Sequence, residues 1–567
     1  MNRKAGLTPS RKGGEKTAQV RPTPLIVGFD CEWVTEGDRN LVLSYQVACR
    51  YGDAEWTCIS YTRAAARIRY PETTEEWIAE NARNRYKFAN IIAGAISEGL
   101  RRRHIRAWPK SVIACAHWSR ADLSAMEDFA EIKRCFDGVQ RTYTTIRKPY
   151  SARVCLNGHS RWLSVVLVDT LLLAPGTSKD LAALGRLYDF PKLYVADYIL
   201  RMDQLLADDP QRYEEYAIRD AQISIRHVAE IMRFVSDELG LSTGKIPVTL
   251  GSIAVQYLLK FWADNGIDFD AVMGVKKIRT KVFVSSRNRY VTRLTKKRSQ
   301  GFQLNENLAK FCFHGGRNEC FMYGPTVEGD YREYDLHSAY TTALAVTGIP
   351  DYDAAYASAD PADFTPDVMG LARIRFRFPP WTRYPSLPVV ASGDRGLVFP
   401  TTGEAHVTAP EIATARYLGA EIEILQGVIV PWSEAGERPF EIVIRDLLER
   451  RGTYQKGSLQ NEMFKQLGNS LYGKTCQGLA GIRAFDTREE VYEPVGPSKI
   501  TNPYIASHVT GLVRAAIGEM IAGLPRVVSV TTDAFITDAP LEDIDVSGPA
   551  CRACWRRPVS ASPGAMS

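Results

Sequence analysis

Three sets of polar residues in this 567-residue chain are spaced for chemistry. Asp30 and Glu32 alternate in the apolar run Leu25-Ile26-Val27-Gly28-Phe29-Asp30-Cys31-Glu32-Trp33, so a strand there puts both carboxylates on one face. Two carboxylates on a buried face repel and lose solvation unless a cation joins them. Alone, a D-x-E more often marks an exposed strand end. Two further acids favour the metal: Asp122 ends a loop after an apolar run, and Tyr216 and Asp220 stand at i, i+4 on one helical face. The second set lies in Glu462 to Lys474, where Lys465, Asn469 and Tyr472 form one helical stripe and Phe464, Leu467 and Leu471 another that can pack inward. A cation, an amide and a ring along one face suit a triphosphate, a sugar and a base; an ordinary amphipathic helix is the plainer alternative. The third set is Asp335, at the end of a strand or capping the helix after it, and Asp533 in Val530-Thr531-Thr532-Asp533-Ala534. A T-T-D alone carries little, because turns favour both residue types.

The elements that must position these groups imply several domains, since 567 residues exceed one hydrophobic core. Residues 1–23 have the composition of a solvated basic tail. From 24 to 240, short apolar runs alternate with long helical patterns such as Tyr213 to Val235, which predicts an α/β domain. Residues 241–330 read as a basic linker opening a second domain. Between Lys276 and Arg298 stand ten Lys or Arg and no acid, with Phe283 and Tyr290 among them. That stretch, with Lys276, Lys277, Arg279 and Lys281 at its head, is either a phosphate-neutralising surface or a solvated loop. The segment 361–440 is rich in Pro, Gly and β-branched residues and reads as a strand-rich insertion; Phe440 to Tyr472 returns to helix, broken near Gly452.

Composition narrows the class. A net charge of +6 from 71 basic and 65 acidic side chains is too mild to specify a polyanionic partner by itself. Eleven cysteines are scattered, only Cys551 and Cys554 forming a C-x-x-C pair, with nothing near to complete four zinc ligands, so they read as reduced thiols. The sequence holds no apolar run of membrane-spanning length and no signal-peptide pattern. A cytoplasmic protein is the expectation.

The first acidic set resembles the DEDD-type exonucleases, in the variant whose third motif is Y-x3-D. That resemblance implies an RNase H-like fold, two Mg²⁺ or Mn²⁺ ions held by Asp30, Glu32, Asp122 and Asp220, and a water oriented by Tyr216. Lys192 stands where phage-type relatives carry a catalytic lysine. The second motif departs from the family, with His117-Trp118 where an Asn and an aromatic are usual.

Lys465 to Gly473 matches K-x3-N-S-x-Y-G, motif B of family B DNA polymerases, at every fixed position. Asp335 to Thr341 resembles motif A, with Ala339 and Thr341 replacing its Leu and Pro; Val530 to Ala534 resembles motif C, with Thr531 replacing the first acid. The resemblance implies an α+β palm (331–360 and 479–540) with a helical fingers segment (441–478). It assigns the metals, two per site, to Asp335 and Asp533, and the nucleotide to Ser338, Tyr340, Lys465, Asn469 and Tyr472, with Lys456 as a second triphosphate lysine. Tyr340 would lie under the sugar and exclude ribonucleotides. Phe313-His314-Gly315-Gly316-Arg317 resembles the Y-x-G-G motif of protein-primed plasmid, phage and organellar members, so Gly315, Gly316 and Arg317 join the expected DNA contacts, the glycines admitting a strand close to the backbone. Loss of the first motif C acid resembles primer-independent mobile-element members. Implied partners are template, primer and dNTPs, with a terminal protein as candidate primer; implied localisation is cytoplasmic and nucleoid-associated, encoded by a bacterium, phage or plasmid.

The resemblance covers roughly residues 24 to 540. Only 34 residues follow Asp533, too few for the family's thumb, and 541–567 reads as an unstructured tail. Weak, distributive synthesis is expected, and an exonuclease carrying an inactive polymerase half is the alternative.

Overall fold

The computed structural model describes residues 24–555 apart from 141–142, 147–148, 157, 177, 243–247, 337, 392–395, 434–435, 480, 482 and 487–490. The basic tail at 1–23 and His337 within motif A lie outside the described residues. The chain divides into two compact units. One comprises Met1–Cys135, Lys148–Val168 and Leu193–Val228; the other comprises Phe136–Arg147, Asp169–Lys192 and Ala229–Ser567. No single boundary near residue 240 separates them, because 136–147 and 169–192 group with the C-terminal part.

The first unit is built on a six-stranded sheet in the order Ala54–Tyr61, Arg39–Tyr51, Leu25–Glu36, Val112–Ala116, His159–Asp169, Tyr150–Leu156. Leu25–Glu36 pairs antiparallel with Arg39–Tyr51 and parallel with Val112–Ala116. A parallel neighbour requires a crossover, and the Phe88–Arg101 helix lies within it, burying Phe88, Ile91, Ile92, Ala95 and Ile96. The Asp30 strand thus sits centrally, its Leu25, Val27 and Phe29 side chains at most 2% exposed. A register shift between Glu32 and Trp33 breaks the ladder beside the acids, a common device for re-aiming side chains at a site.

In the second unit a four-stranded antiparallel sheet runs Arg317–Cys320, Val527–Thr532, Ala534–Thr537, Arg332–Asp335. The segment between the two acids of this sheet carries another, ordered Tyr356–Ala357, Glu421–Val430, Met369–Arg377, Thr402–Thr408. The Ala409–Tyr417 helix closes it through Ala409, Ile412 and Ala415 on Phe376, Val407 and Ile429. The long helical pattern is two helices, Glu441–Gly452 and Leu459–Thr475. The Pro503–Ala522 helix is buried from Pro503 to Ile521, as expected of a helix apolar on nearly all sides.

Two expectations are corrected. The basic linker is a two-stranded ribbon, Val275–Val284 paired with Arg289–Arg298. Residues 541–555 are not an unstructured tail: Pro549–Trp555 is a helix whose Ala550 and Cys551 N–H groups donate to the buried Glu519 carboxylate at 2.8 and 2.9 Å. A carboxylate accepting the free N–H groups of a helix start is favourable, and no spacing in the sequence announced it. The end, 556–567, lies outside the described residues.

Candidate functional site

In the first unit Asp30 and Glu32 are half-buried on the central strand, while Asp122, in the Ser119–Ser124 helix, Tyr216 and Asp220 are 4%, 6% and 7% exposed. Gly28 brings the strand against the Pro210–Arg233 helix: a Cβ there would stand 2.3 Å from the Ala221 carbonyl oxygen and 2.8 Å from Ile225 Cγ2. Gly28, Asp30 and Glu32 share a face, so the close approach aims Asp30 at the helix that carries Tyr216 and Asp220. The Cys31 thiol contacts the Asp122 carbonyl at 3.6 Å. Burial raises the pKa of that thiol, and the carboxylates of Asp122, Asp30 and Glu32 raise it further. Tyr213, hydrogen-bonded to Ser44 at 2.5 Å, is raised by burial and then by Glu32. Asp30 and Glu32 thus flank Cys31 on the strand, and the backbone of Asp122 meets the strand at that thiol. Lys192 is half-buried in irregular backbone of the other unit.

Gly28→Ala forces that strand and helix apart at a backbone oxygen that cannot yield. We expect a loss of about 1–3 kcal/mol, the usual cost of overpacking, measured as a lower urea midpoint for the transition of the first unit.

In the second unit Asp335 ends its strand, exposed, in register with Ala534, and the Leu336 N–H donates to the Asp533 carbonyl at 2.8 Å. Both acids therefore stand at the same end of two hydrogen-bonded strands; strand pairing, and not helix capping, fixes Asp335. Thr532 holds φ +57°, a region β-branched residues avoid, and its hydroxyl donates to Asp533 Oδ1 at 2.7 Å. Past Ser338, half-buried at φ +56°, the Ala339–Ala345 helix begins. Tyr340 stacks on Tyr472 at 4.7 Å and 18°, and the Thr341 hydroxyl donates to Asn469 Oδ1 at 3.3 Å. Burial and then Asp533 push Tyr340 up to about 12, so both rings stay protonated and stack as neutral surfaces beside the acid.

The Leu459–Thr475 helix shows the two stripes: Phe464, Leu467 and Leu471 are buried, Lys465 and Asn469 exposed, Tyr472 half-buried. Lys456 is exposed in the turn before it.

The expected DNA contacts divide. Gly315 is exposed, with open space where a Cβ would be. Gly316 is different: a Cβ would meet Tyr340 Oη at 2.8 Å and Thr532 Cβ at 2.9 Å, so the close approach it permits is internal. Arg317 is fully buried, paired with Glu319 at 2.6 Å and lying over the Phe399 ring at 4.3 Å, its pKa lowered by burial. It does not reach a DNA surface. On the ribbon Lys276, Lys277, Arg279 and Lys281 are exposed, but Lys276 pairs with Asp353, and Lys277 and Lys296 face Asp270 at 3.7 and 2.7 Å. Acids distant in sequence offset part of a run that contains none.

Among the described residues no group of three or more His, Cys, Asp or Glu converges on one ion position. The second unit offers two carboxylates, those of Asp335 and Asp533. Hard oxygen donors in small number suit Mg²⁺, which keeps waters and takes phosphate oxygens to complete its shell, so the donor set fits.

Sequence reasoning missed the Thr532 hydroxyl, whose only signal was a hydroxyl beside an acid. It also missed Arg514 and Glu411, which are fully buried and paired at 2.9 Å.

No family model matches the sequence. The primer-independent DNA polymerase PolB of Escherichia coli is 34% identical over 556 residues, covering 93% of this chain and 62% of the relative. The chain thus spans about three fifths of the length of that curated relative. The structure has the fold of Phi29 DNA polymerase. Against that enzyme complexed with primer-template DNA and incoming nucleotide substrates, the TM-score is 0.55 at 14% identity, over 92% of this chain and 82% of that one. Against it complexed with single-stranded DNA the TM-score is 0.53 at 11% identity, over 92% and 81%. Among the described residues no helix is long and apolar enough to cross a membrane.

Proposed function

We propose that this chain is a DNA-directed DNA polymerase of family B with a 3′→5′ exonuclease, acting on template, primer strand and dNTPs. The observation that carries the reading is the placement of Asp335 and Asp533 at one end of two paired strands, with the Tyr340–Tyr472 stack on the helices that follow in the same unit. The likeness to PolB over most of the chain supports it.

In this reading Asp335 and Asp533 hold two divalent cations, Mg²⁺ or Mn²⁺, at the palm; Asp30, Glu32, Asp122 and Asp220 hold two in the first unit. When bound, the ions neutralise phosphate oxygens and acidify the attacking hydroxyl or water. The residues do the rest. Lys465 and Lys456 bind the triphosphate, Asn469 and Ser338 orient it, and Tyr340, braced by Tyr472, forms a flat platform under the sugar on which a 2′-hydroxyl clashes. Thr532 keeps the Asp533 carboxylate turned to the site. Tyr216 orients the water of the exonuclease, and Lys192 stands where phage-type relatives carry a catalytic lysine. Arg279 and Lys281 neutralise DNA phosphates from the exposed ribbon, and Gly315 is the backbone approach for the strand. How the first nucleotide is primed, by an oligonucleotide, a terminal protein or directly, is a separate question that the same assay addresses.

The test is purified protein with Mg²⁺ and a labelled primer–template, with and without dNTPs, alongside template alone. Template-dependent extension supports the reading, and products on template alone add primer-independent initiation. Degradation by the parent, with no extension by an Asp30→Ala/Glu32→Ala variant that silences the nuclease, sinks it in favour of an exonuclease with an inactive polymerase half.

A further inference from the structure

Arg514 lies in the middle of the buried Pro503–Ala522 helix and is itself fully buried. Its guanidinium makes two sets of bonds. Nε donates to Glu411 Oε1 at 2.9 Å, and Nη1 donates to the carbonyls of His314 and Gly315 at 2.8 and 2.6 Å. Glu411 is equally buried, and its other oxygen accepts from the Thr408 N–H at 2.9 Å and hydroxyl at 2.8 Å. The carboxylate is therefore locked at the start of the Ala409–Tyr417 helix, inside the strand-rich segment between motifs A and B. Gly511, one turn before Arg514, leaves the room: a Cβ there would stand 2.0 Å from Thr408 Oγ1.

The far end of the same chain of contacts is the nucleotide site. Gly316 follows directly on the clamped carbonyls and packs on Tyr340 Oη and Thr532, whose hydroxyl holds Asp533. A buried ion pair of this kind is seldom the most stable filling for its space; a rigid guanidinium shared between one carboxylate oxygen and two backbone carbonyls does fix geometry.

We propose that Arg514, oriented by Glu411, is a positioning residue for polymerisation: it holds the Gly315–Gly316 segment against Tyr340 and Thr532, and so sets the height of the sugar platform and the aim of Asp533. The proposal rests on the polymerase reading above. It makes the strand-rich segment part of the active site's support, because the carboxylate that orients Arg514 comes from there.

The experiment compares Arg514→Lys, Glu411→Gln and the double variant Glu411→Leu/Arg514→Leu in single-nucleotide incorporation. The double variant fills the space with apolar groups and guards against the unpaired buried charge that Glu411→Gln leaves, while Arg514→Lys keeps the charge and loses the guanidinium geometry. A platform displaced by about 1 Å should cost about 100-fold in kcat. Preference for dNTP over NTP should fall about tenfold, the scale set by loss of one steric contact. Digestion of single-stranded DNA should be unchanged. A merely structural role would slow both nucleotides alike, and an unchanged dNTP/NTP ratio in folded Arg514→Lys and the double variant overturns the proposal. Hydrogen exchange of the Gly315 and Gly316 amides supplies a readout independent of activity. If the parent incorporates nothing, the polymerase reading has failed; the clamp is then judged by exchange alone, faster in the variants if it exists and unchanged if it does not.

Discussion

Asp335→Ala and Asp533→Ala are each expected to lower nucleotide incorporation by about 1,000-fold or more, corresponding to the loss of several kcal/mol of charge stabilisation at a shared metal pair. Each variant should still degrade single-stranded DNA at the parental rate. The expectation follows from the pairing of the two strands: Asp335 stands in register with Ala534, and Leu336 bonds to Asp533 itself. Asp335 is exposed on an edge strand of the sheet, so its replacement is expected to leave the protein folded. Thr532→Val should sit between these variants and the parent. It removes one hydroxyl bond to Asp533 at 2.7 Å, a charge-assisted bond on the order of 1.5–3 kcal/mol, which is about 10- to 150-fold in kcat. Incorporation by Asp533→Ala within a factor of ten of the parent would remove the palm as the polymerase centre. The measurement is single-turnover incorporation with enzyme in excess, which separates chemistry from DNA binding.

Much of this was legible in the sequence, and what was not has identifiable causes. The motif B helix could be read because its two stripes are a local property: Phe464, Leu467 and Leu471 point inward and Lys465 and Asn469 outward by periodicity alone. The strand bearing Asp30 could be read because it is an apolar run flanking a pair of acids. Arg317 and Gly316 were misread because a motif tells which residues recur near DNA and not which of them face it; burial of Arg317 between Glu319 and Phe399 is set by contacts 2 and 82 residues away. The ribbon at 275–298 was open to two readings because its acids, Asp270 and Asp353, lie outside the run. Arg514 and Glu411 are 103 residues apart, and no composition or spacing links them. Only Thr408-x-x-Glu411 carries a local sign, that of a capping box, and it gives no hint of the arginine.

The Asp30→Ala/Glu32→Ala double variant should lose 3′→5′ digestion by about 1,000-fold or more, and net primer extension should rise, because product is no longer removed. The sign of the second effect distinguishes proofreading from an unrelated nuclease. Both acids lie half-buried on a strand that is central in its sheet, and replacing them with Ala adds no bulk to it. The fold should therefore hold, in contrast to the overpacking expected for Gly28→Ala on the same strand. The two variants thus form a pair: one removes chemistry and leaves packing, the other disturbs packing next to chemistry that is still present. A double variant that digests DNA normally would show that these carboxylates are structural or solvated acids, and the nuclease would have to be sought elsewhere. A double variant that is melted at 25 °C would assign them to the fold. If digestion is lost from a folded protein while extension on a primer–template increases, the strand at Leu25–Glu36 is the nuclease and the palm is the synthetic centre, two activities carried by separable sets of acids in one chain.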